Sequence, residues 1–236
     1  MLSFPKTRFF IPPFLRPKVK NLLRIFPSKF KHRDEIKYWQ NEWSNGRFVN
    51  EYYEQTMLLL AGESNSDFLR DKIVADFGCG PQGSLCWAQS ARARIGIDVL
   101  ADAYSQFAIH DHNMVYVASS EHRIPLPSNY VDVMFTMNAF DHVSNLSRMA
   151  IEMIRIMRPG ALFVGSFNIG EKPTFSEPQT LTEDLVHAKL LRHLKVEVAQ
   201  SVTTGPKGDF YKYLREGDGP AIEPMHLFRV KATKPT

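Results

Sequence analysis

The chain has 236 residues, 44% hydrophobic and 23% charged, with a formal net charge of +4. That suits one globular domain with an appendage. Two cysteines, Cys79 and Cys86, make neither a disulfide framework nor a zinc site, so a reducing, cytoplasmic setting is expected. No stretch approaches the ~18 apolar residues of a membrane span, and Pro12-Pro13 splits the apolar run near the start, against a signal peptide.

Residues 1–33 hold nine Lys/Arg and no acid, leaving 20 Lys/Arg against 25 Asp/Glu in the rest. The basic character therefore belongs to an N-terminal arm, rich in Pro and Phe, on a mildly acidic body. Within it Val19, Leu22, Leu23 and Phe26 share one helical face behind Pro17, with Lys18, Lys20 and Arg24 off the stripe. A basic amphipathic helix suits a membrane surface, and the same stripe also suits packing on the protein's own body. Peripheral membrane contact through residues 1–33 is the partner expectation here.

Residues 34–71 read as a helical cap, its two helices broken near Asn45-Gly46. Trp39, Trp43, Tyr52 and Tyr53 lie on its stripes, as core or as the roof of a pocket. From residue 72 to 236 the pattern alternates: strand 73–77, helix 84–93, strands 94–98, 114–117 and 131–136, helix 146–157, strand 161–167. Such alternation predicts a parallel α/β sheet with right-handed crossovers. A capping box at Thr180-Leu181-Thr182-Glu183 predicts a helix to about His193. Strands 194–203 and 225–231 follow, joined by a Gly/Pro-rich loop without a helix, which reads as an antiparallel pair.

Gly78, Gly80 and Gly83 open a helix-like segment after a strand, with Asp98 about 20 residues on. Taken literally this is a dinucleotide fingerprint. Asp76 weighs against it. A carboxylate two residues ahead of the first glycine repels a pyrophosphate but attracts the ammonium and sulfonium of S-adenosylmethionine. Asp98 can accept from ribose hydroxyls of either cofactor.

Val74-Ala75-Asp76-Phe77-Gly78-Cys79-Gly80 resembles the first motif of class I S-adenosylmethionine-dependent methyltransferases, and Ile95-Gly96-Ile97-Asp98 their second-strand acidic motif. Ile124 to Phe135 and Arg155 to Leu162 resemble the segments entering the fourth and fifth strands of the type-11 group. The resemblance implies a Rossmann-like three-layer sandwich with a seven-stranded, mostly parallel sheet and an antiparallel last strand. It implies S-adenosylmethionine held by Asp76, Gly78, Cys79, Gly80, Asp98, Val99 and Asn138, with adenine near Ser120 and Glu121. The sequence departs from the group at Gln82, which separates the second and third glycines, and at Ser119–Arg123.

By the same analogy the fourth strand's end, Asn138 to Val143, faces the methyl group. His142 is the candidate general base, since an imidazole titrates near neutral pH; a structural hydrogen-bonding role is the alternative. Asp141 reads as an orienter of His142 or a cap. A metal-dependent reaction would need clustered acids, and Asp132 and Asp141 alone do not make a cluster, so no metal is expected. The turn after the fourth strand is not that of amino-directed DNA enzymes, and no Pro-Cys nucleophile is present, so nucleic acid is not the expected partner. The leading expectation is methyl transfer to an oxygen of a small molecule, lipid or saccharide (glycan). The alternatives are a catalytically inactive cofactor-binding module acting through its basic arm, and an NAD-dependent oxidoreductase.

Overall fold

The computed structural model describes residues 27–174, 176–206, 209–217 and 219–236, with side chains from Lys31 onward. The amphipathic stretch at Val19–Phe26 lies outside the described residues. One sheet contains β1 (Ile73–Phe77), β2 (Ala93–Asp98), β3 (Val115–Ala118), β4 (Val131–Met137), β5 (Met157–Ile169), β6 (Lys195–Thr203) and β7 (His226–Thr233). Its order is β3-β2-β1-β4-β5-β7-β6. The pairs among β1 to β5 are parallel, while β7 runs antiparallel to both β5 and β6. The seven-stranded, mostly parallel sheet with an antiparallel last strand is as the sequence predicts.

Alternation along β1 divides the core into two layers. Ile73, Ala75 and Phe77 join Met149, Ala150 and Met153 of α3 (Leu146–Ile156) on one face. Val74 joins Met57 and Leu60 of α2 (Glu51–Ala61) on the other. Strands buried on both faces are apolar at nearly every position, as β1 and β4 are. Phe135 of β4 is wholly buried, and burying a side chain of that kind contributes about 1.5–3 kcal/mol. Asn145 caps α3 by accepting from the Arg148 N–H at 3.0 Å. Gly62, at φ 69°, stops α2: its N–H and that of Glu63 return to the Leu59 and Leu58 carbonyls.

Helix α1 spans Pro27–Ser44 and lies beyond these layers. Its Ile36 and Trp39, with Phe48, pack on Leu100, Ala101, Tyr104 and Phe107, past the end of β2. Pro27 occupies the first helical position, where its missing N–H leaves nothing unpaired. The helix therefore starts seven residues before the boundary at 33/34 drawn from charge, and Lys31 and His32 are part of it.

Three local expectations need correction. Residues 84–92 form turns and bends instead of a helix, and Ala93 already belongs to β2. Carbonyls a helix would use are occupied by side chains: Trp87 Nε1 donates to Ser84 O at 3.0 Å, and Arg94 to Cys86 O at 3.1 Å. The capping box is displaced as well. Thr182 is the cap of α4 (Glu183–Lys189), accepting from Leu185 N at 3.1 Å, while Glu183 reaches out to Ser201 and His226. The loop at 205–224 contains a short helix, α5 (Lys212–Glu216). No described helix is long and apolar enough to cross a membrane.

Candidate active site

The strand order reverses direction at β1, whose neighbours are β2 and β4. A crevice opens there beyond the strands' carboxyl ends, the usual ligand position in such sheets. Asp76, Asp98 and Asn138 all sit at that edge, because β1, β2 and β4 end at Phe77, Asp98 and Met137.

Asp76 is buried and accepts from Ser84 Oγ at 2.5 Å through Oδ2. Its Oδ1 is buried and has no partner among the described residues. Burial raises its pKa from 3.8 to about 7; the Ser84 hydroxyl partly counters this and the charge of Asp98 adds to it. An unpaired buried carboxylate is costly, and a cation brought to it removes that cost.

Asp98 accepts from two backbone N–H groups, Leu100 at 2.9 Å and Gly80 at 3.2 Å, and Tyr104 also bonds to it. Burial nonetheless holds its carboxyl above the ordinary range. Asp98 thereby links the glycine loop to β2.

Asn138 sits at φ 47°, a left-handed conformation that asparagine tolerates better than most residues. Its N–H donates to Ser166 O at 3.0 Å and its Nδ2 to Tyr211 Oη at 3.2 Å. Tyr211 Oη lies 2.8 Å from Ser166 Oγ. Asn138 Oδ1 remains buried without a partner. Two adjacent strand ends thus each hold a buried acceptor oxygen with no partner among the described residues, an acceptor pair suited to an ammonium group.

The loop glycines differ in purpose. A Cβ on Gly78, at φ 75°, would lie 2.1 Å from Ala139 Cβ, so the loop and the segment after β4 touch only because side-chain volume is absent. A Cβ on Gly80 would lie 3.0 Å from the Trp39 ring, which covers the loop from α1. At Gly83 it would strike Cys86 Sγ at 2.6 Å and the His112 ring at 2.9 Å. The third glycine of the apparent fingerprint is explained by its φ of 79° and by packing against Cys86 and His112. Cys79 is buried, and a Cβ on Gly96 would lie 2.7 Å from its sulfur. Val99 packs partly buried in the cluster under α1. Gln82, the inserted residue, lies near the Tyr52 and Tyr53 hydroxyls and donates to Arg47 O. Tyr53 is core, whereas Trp43 and Tyr52 are exposed.

Ser120 organises its own turn by accepting from His122 N at 3.3 Å and Arg123 N at 3.0 Å. Glu121 lies 3.5 Å from His32 of α1, and bonding to His32 is the main cause of a carboxyl pKa lowered to about 2.

His142 is half-buried, with a carboxylate on each side. Its Nδ1 lies 2.7 Å from Glu35 Oε1, and its Nε2 3.7 Å from Glu177 Oε1. Lys31 Nζ donates to its backbone carbonyl. Burial pushes the imidazole pKa down, but Glu35, Asp141 and Glu177 outweigh this and the net shift is upward. Asp141 is buried, and burial raises its pKa to about 6. Asp132 stands apart from this group, occupied by Arg158 at 2.5 Å and by the Ile73 N–H at 2.8 Å.

Sequence reasoning missed Ser84, Tyr104, Ser166, Tyr211, Glu35 and Glu177. Lys31, Glu35 and Trp39 recur every fourth residue, a stripe legible as one helix face. The others come from segments far apart in the chain and had no local signal.

Residues 75–165 match a family described as "Methyltransferase domain". An uncharacterized methyltransferase of Mycobacteroides abscessus is 28% identical over 130 residues, covering 52% of this chain and 50% of its own. The chain thus spans about half the length of that curated relative. Among solved structures, the [4+2]-cyclase SpnF aligns at TM-score 0.58 and 18% identity, over 78% of this chain and 81% of that one. A SAM-dependent methyltransferase from Aquifex aeolicus aligns at 0.50 and 18%, over 72% and 85%. At such identities the structural likeness speaks for the fold alone.

Proposed function

We propose that the chain, whose residues 75–165 match a methyltransferase-domain family, is a class I S-adenosylmethionine-dependent methyltransferase that transfers the cofactor's methyl group to an oxygen of a small molecule, lipid or saccharide. The observation that carries this reading is the pair of unpartnered buried oxygens, Asp76 Oδ1 and Asn138 Oδ1. They would take the ammonium of the cofactor, Asp98 the ribose hydroxyls, and the 120–121 turn the adenine. S-adenosylmethionine supplies the electrophilic methyl carbon when bound.

With the cofactor bound, an acceptor oxygen lone pair would form the new O–C bond as the C–S bond broke and left its pair on sulfur. Most of the rate comes from holding the two reactants in line. The acceptor's proton must leave, and in this reading His142, with Glu35 and Glu177 beside it, takes it. As a free base His142 works in its neutral form, which the upward shift of its pKa confines to higher pH.

Calorimetry should give S-adenosylmethionine binding, little NAD binding, and loss of affinity in Asp98→Ala. NAD binding without the sulfonium cofactor would overturn the reading. Methyl-labelled cofactor incubated with extract, then fractionated into lipid, glycan and small metabolites, identifies the acceptor. Cofactor binding without label transfer favours a catalytically inactive module, a reading kept because a fold neighbour is named as a cyclase and fold alone does not fix chemistry.

The basic arm is proposed to contact an anionic membrane surface. Deletion should stop at residue 26, since α1 begins at Pro27. Loss of sedimentation with anionic liposomes, cofactor binding intact, supports the contact, and unchanged sedimentation rejects it.

A further inference from the structure

Three groups with metal-ligand chemistry meet just beyond β4. Asp141, His142 and Glu177 each offer one donor atom, and these atoms all lie within 4.8 Å of one another. Asp141 is 5% exposed, and its Oδ1 has no partner among the described residues. A buried carboxylate oxygen left unpaired costs free energy unless something positive reaches it. His142 Nε2 is 3.7 Å from Glu177, beyond hydrogen-bonding range.

The other side of the imidazole is equally informative. Glu35 Oε1 holds Nδ1 at 2.7 Å, which fixes the ring and, with the proton on Nδ1, leaves the Nε2 lone pair free. Metal-ligating histidines commonly give their second N–H to a carboxylate in this way. A second oxygen nearby is also unsatisfied. Asn168 is 8% exposed, its Nδ2 donates to Glu171 at 3.3 Å, and its Oδ1 has no partner. Glu171 in turn feels the charges of Glu177 and His142. Four carboxylates, Glu35, Asp141, Glu171 and Glu177, therefore surround one imidazole. Lys31 lies close by, its ammonium donating to the His142 carbonyl.

We infer that Asp141, His142 and Glu177 form a site for a divalent first-row transition cation, bound through His142 Nε2 and one oxygen of each carboxylate. Imidazole favours zinc and iron, carboxylate favours manganese and magnesium, and a mixed set takes the first-row ions. Three protein ligands leave coordination positions open. What fills them rests on the methyl-transfer reading, though the site itself does not. An acceptor hydroxyl there would have its pKa lowered, with its proton passing to water. Nε2 then serves the ion, and the proton-handling role of His142 becomes that of a ligand.

The test titrates Mn2+ into chelator-treated full-length protein, following loss of the free-ion paramagnetic resonance signal and the heat of binding. One site is expected. Glu177→Gln should weaken Mn2+ by more than about tenfold, and Glu35→Gln by about 10–100-fold through the ring it holds. Glu177 is partly exposed, so its variant keeps the test meaningful if Asp141→Asn misfolds. An undiminished free-ion signal, or wild-type affinity in Glu177→Gln, overturns the site and assigns its unpaired oxygens to water. S-adenosylmethionine titrated into the same samples should bind Glu177→Gln as it binds wild type. Manganese binding without cofactor binding would reject the methyl-transfer reading and leave the metal site standing; the converse result would do the reverse.

Discussion

Replacing Asp76 by asparagine separates what the residue does for a ligand from what it does to the fold. Burial carries its carboxyl from 3.8 to about 7. About nine-tenths is then ionised at pH 8 and about one-tenth at pH 6, so a cationic ligand that needs the carboxylate binds about tenfold more weakly at pH 6, or about 1.4 kcal/mol. Stability moves in the opposite sense. A carboxyl whose folded pKa lies above its unfolded value binds protons more tightly when folded. Its contribution therefore improves as pH falls from about 7 toward 3.8 and is least favourable above 7. Asp76→Asn removes that charge, so the ligand-free variant should melt higher than wild type at pH 8, with the difference shrinking toward pH 5. It should also lose S-adenosylmethionine. Scanning calorimetry at both pH values and cofactor titrations from pH 6 to 8 read these effects. A wild-type affinity flat over that range, or a variant that melts lower at pH 8, would refute the reasoning.

Three further outcomes are expected. Gly78→Ala places a methyl 2.1 Å from Ala139 Cβ at a positive φ; it should cost at least about 3 kcal/mol in urea unfolding, as large effects do when clash and backbone strain coincide. Tyr211→Phe removes the hydroxyl shared by Asn138 and Ser166. It should cost about 1 kcal/mol of stability and weaken cofactor binding, since Asn138 Nδ2 loses its partner. In metal-free Glu35→Gln, the His142 ring should titrate at lower pH than in wild type by NMR, because a partner that raises its pKa has gone; an unchanged titration would show that Glu35 does not govern the ring.

The sheet was legible because β1, β2, β4 and β5 carry apolar runs bounded by turn residues, and Asp76 and Asp98 stand at strand ends where any reader would look. The 84–93 segment misled because its composition permits a helix, while Trp87 and Arg94, whose reach no local pattern reveals, occupy its carbonyls. Gly83 misled differently. Its spacing completes a nucleotide fingerprint, yet its need for glycine comes from a positive φ and from the crowding of Cys86 and of His112, 29 positions on. The cluster at His142 was invisible for a related reason. Glu35 and Glu177 lie 107 residues before it and 35 after it in the chain, and only tertiary packing joins them. The boundary at 33/34 drawn from charge falls inside α1, because helical packing and not charge sets where that helix runs.

Helix α1 has a consequence for timing. A single stiff element lays Trp39 over Gly80, Glu35 against His142 and His32 beside Glu121. Ligands at the glycine loop and at the β4 end would therefore meet the same rod. If each displaces it, the first to bind would lighten the task of the second, and by thermodynamic reciprocity each would tighten the other by the same factor.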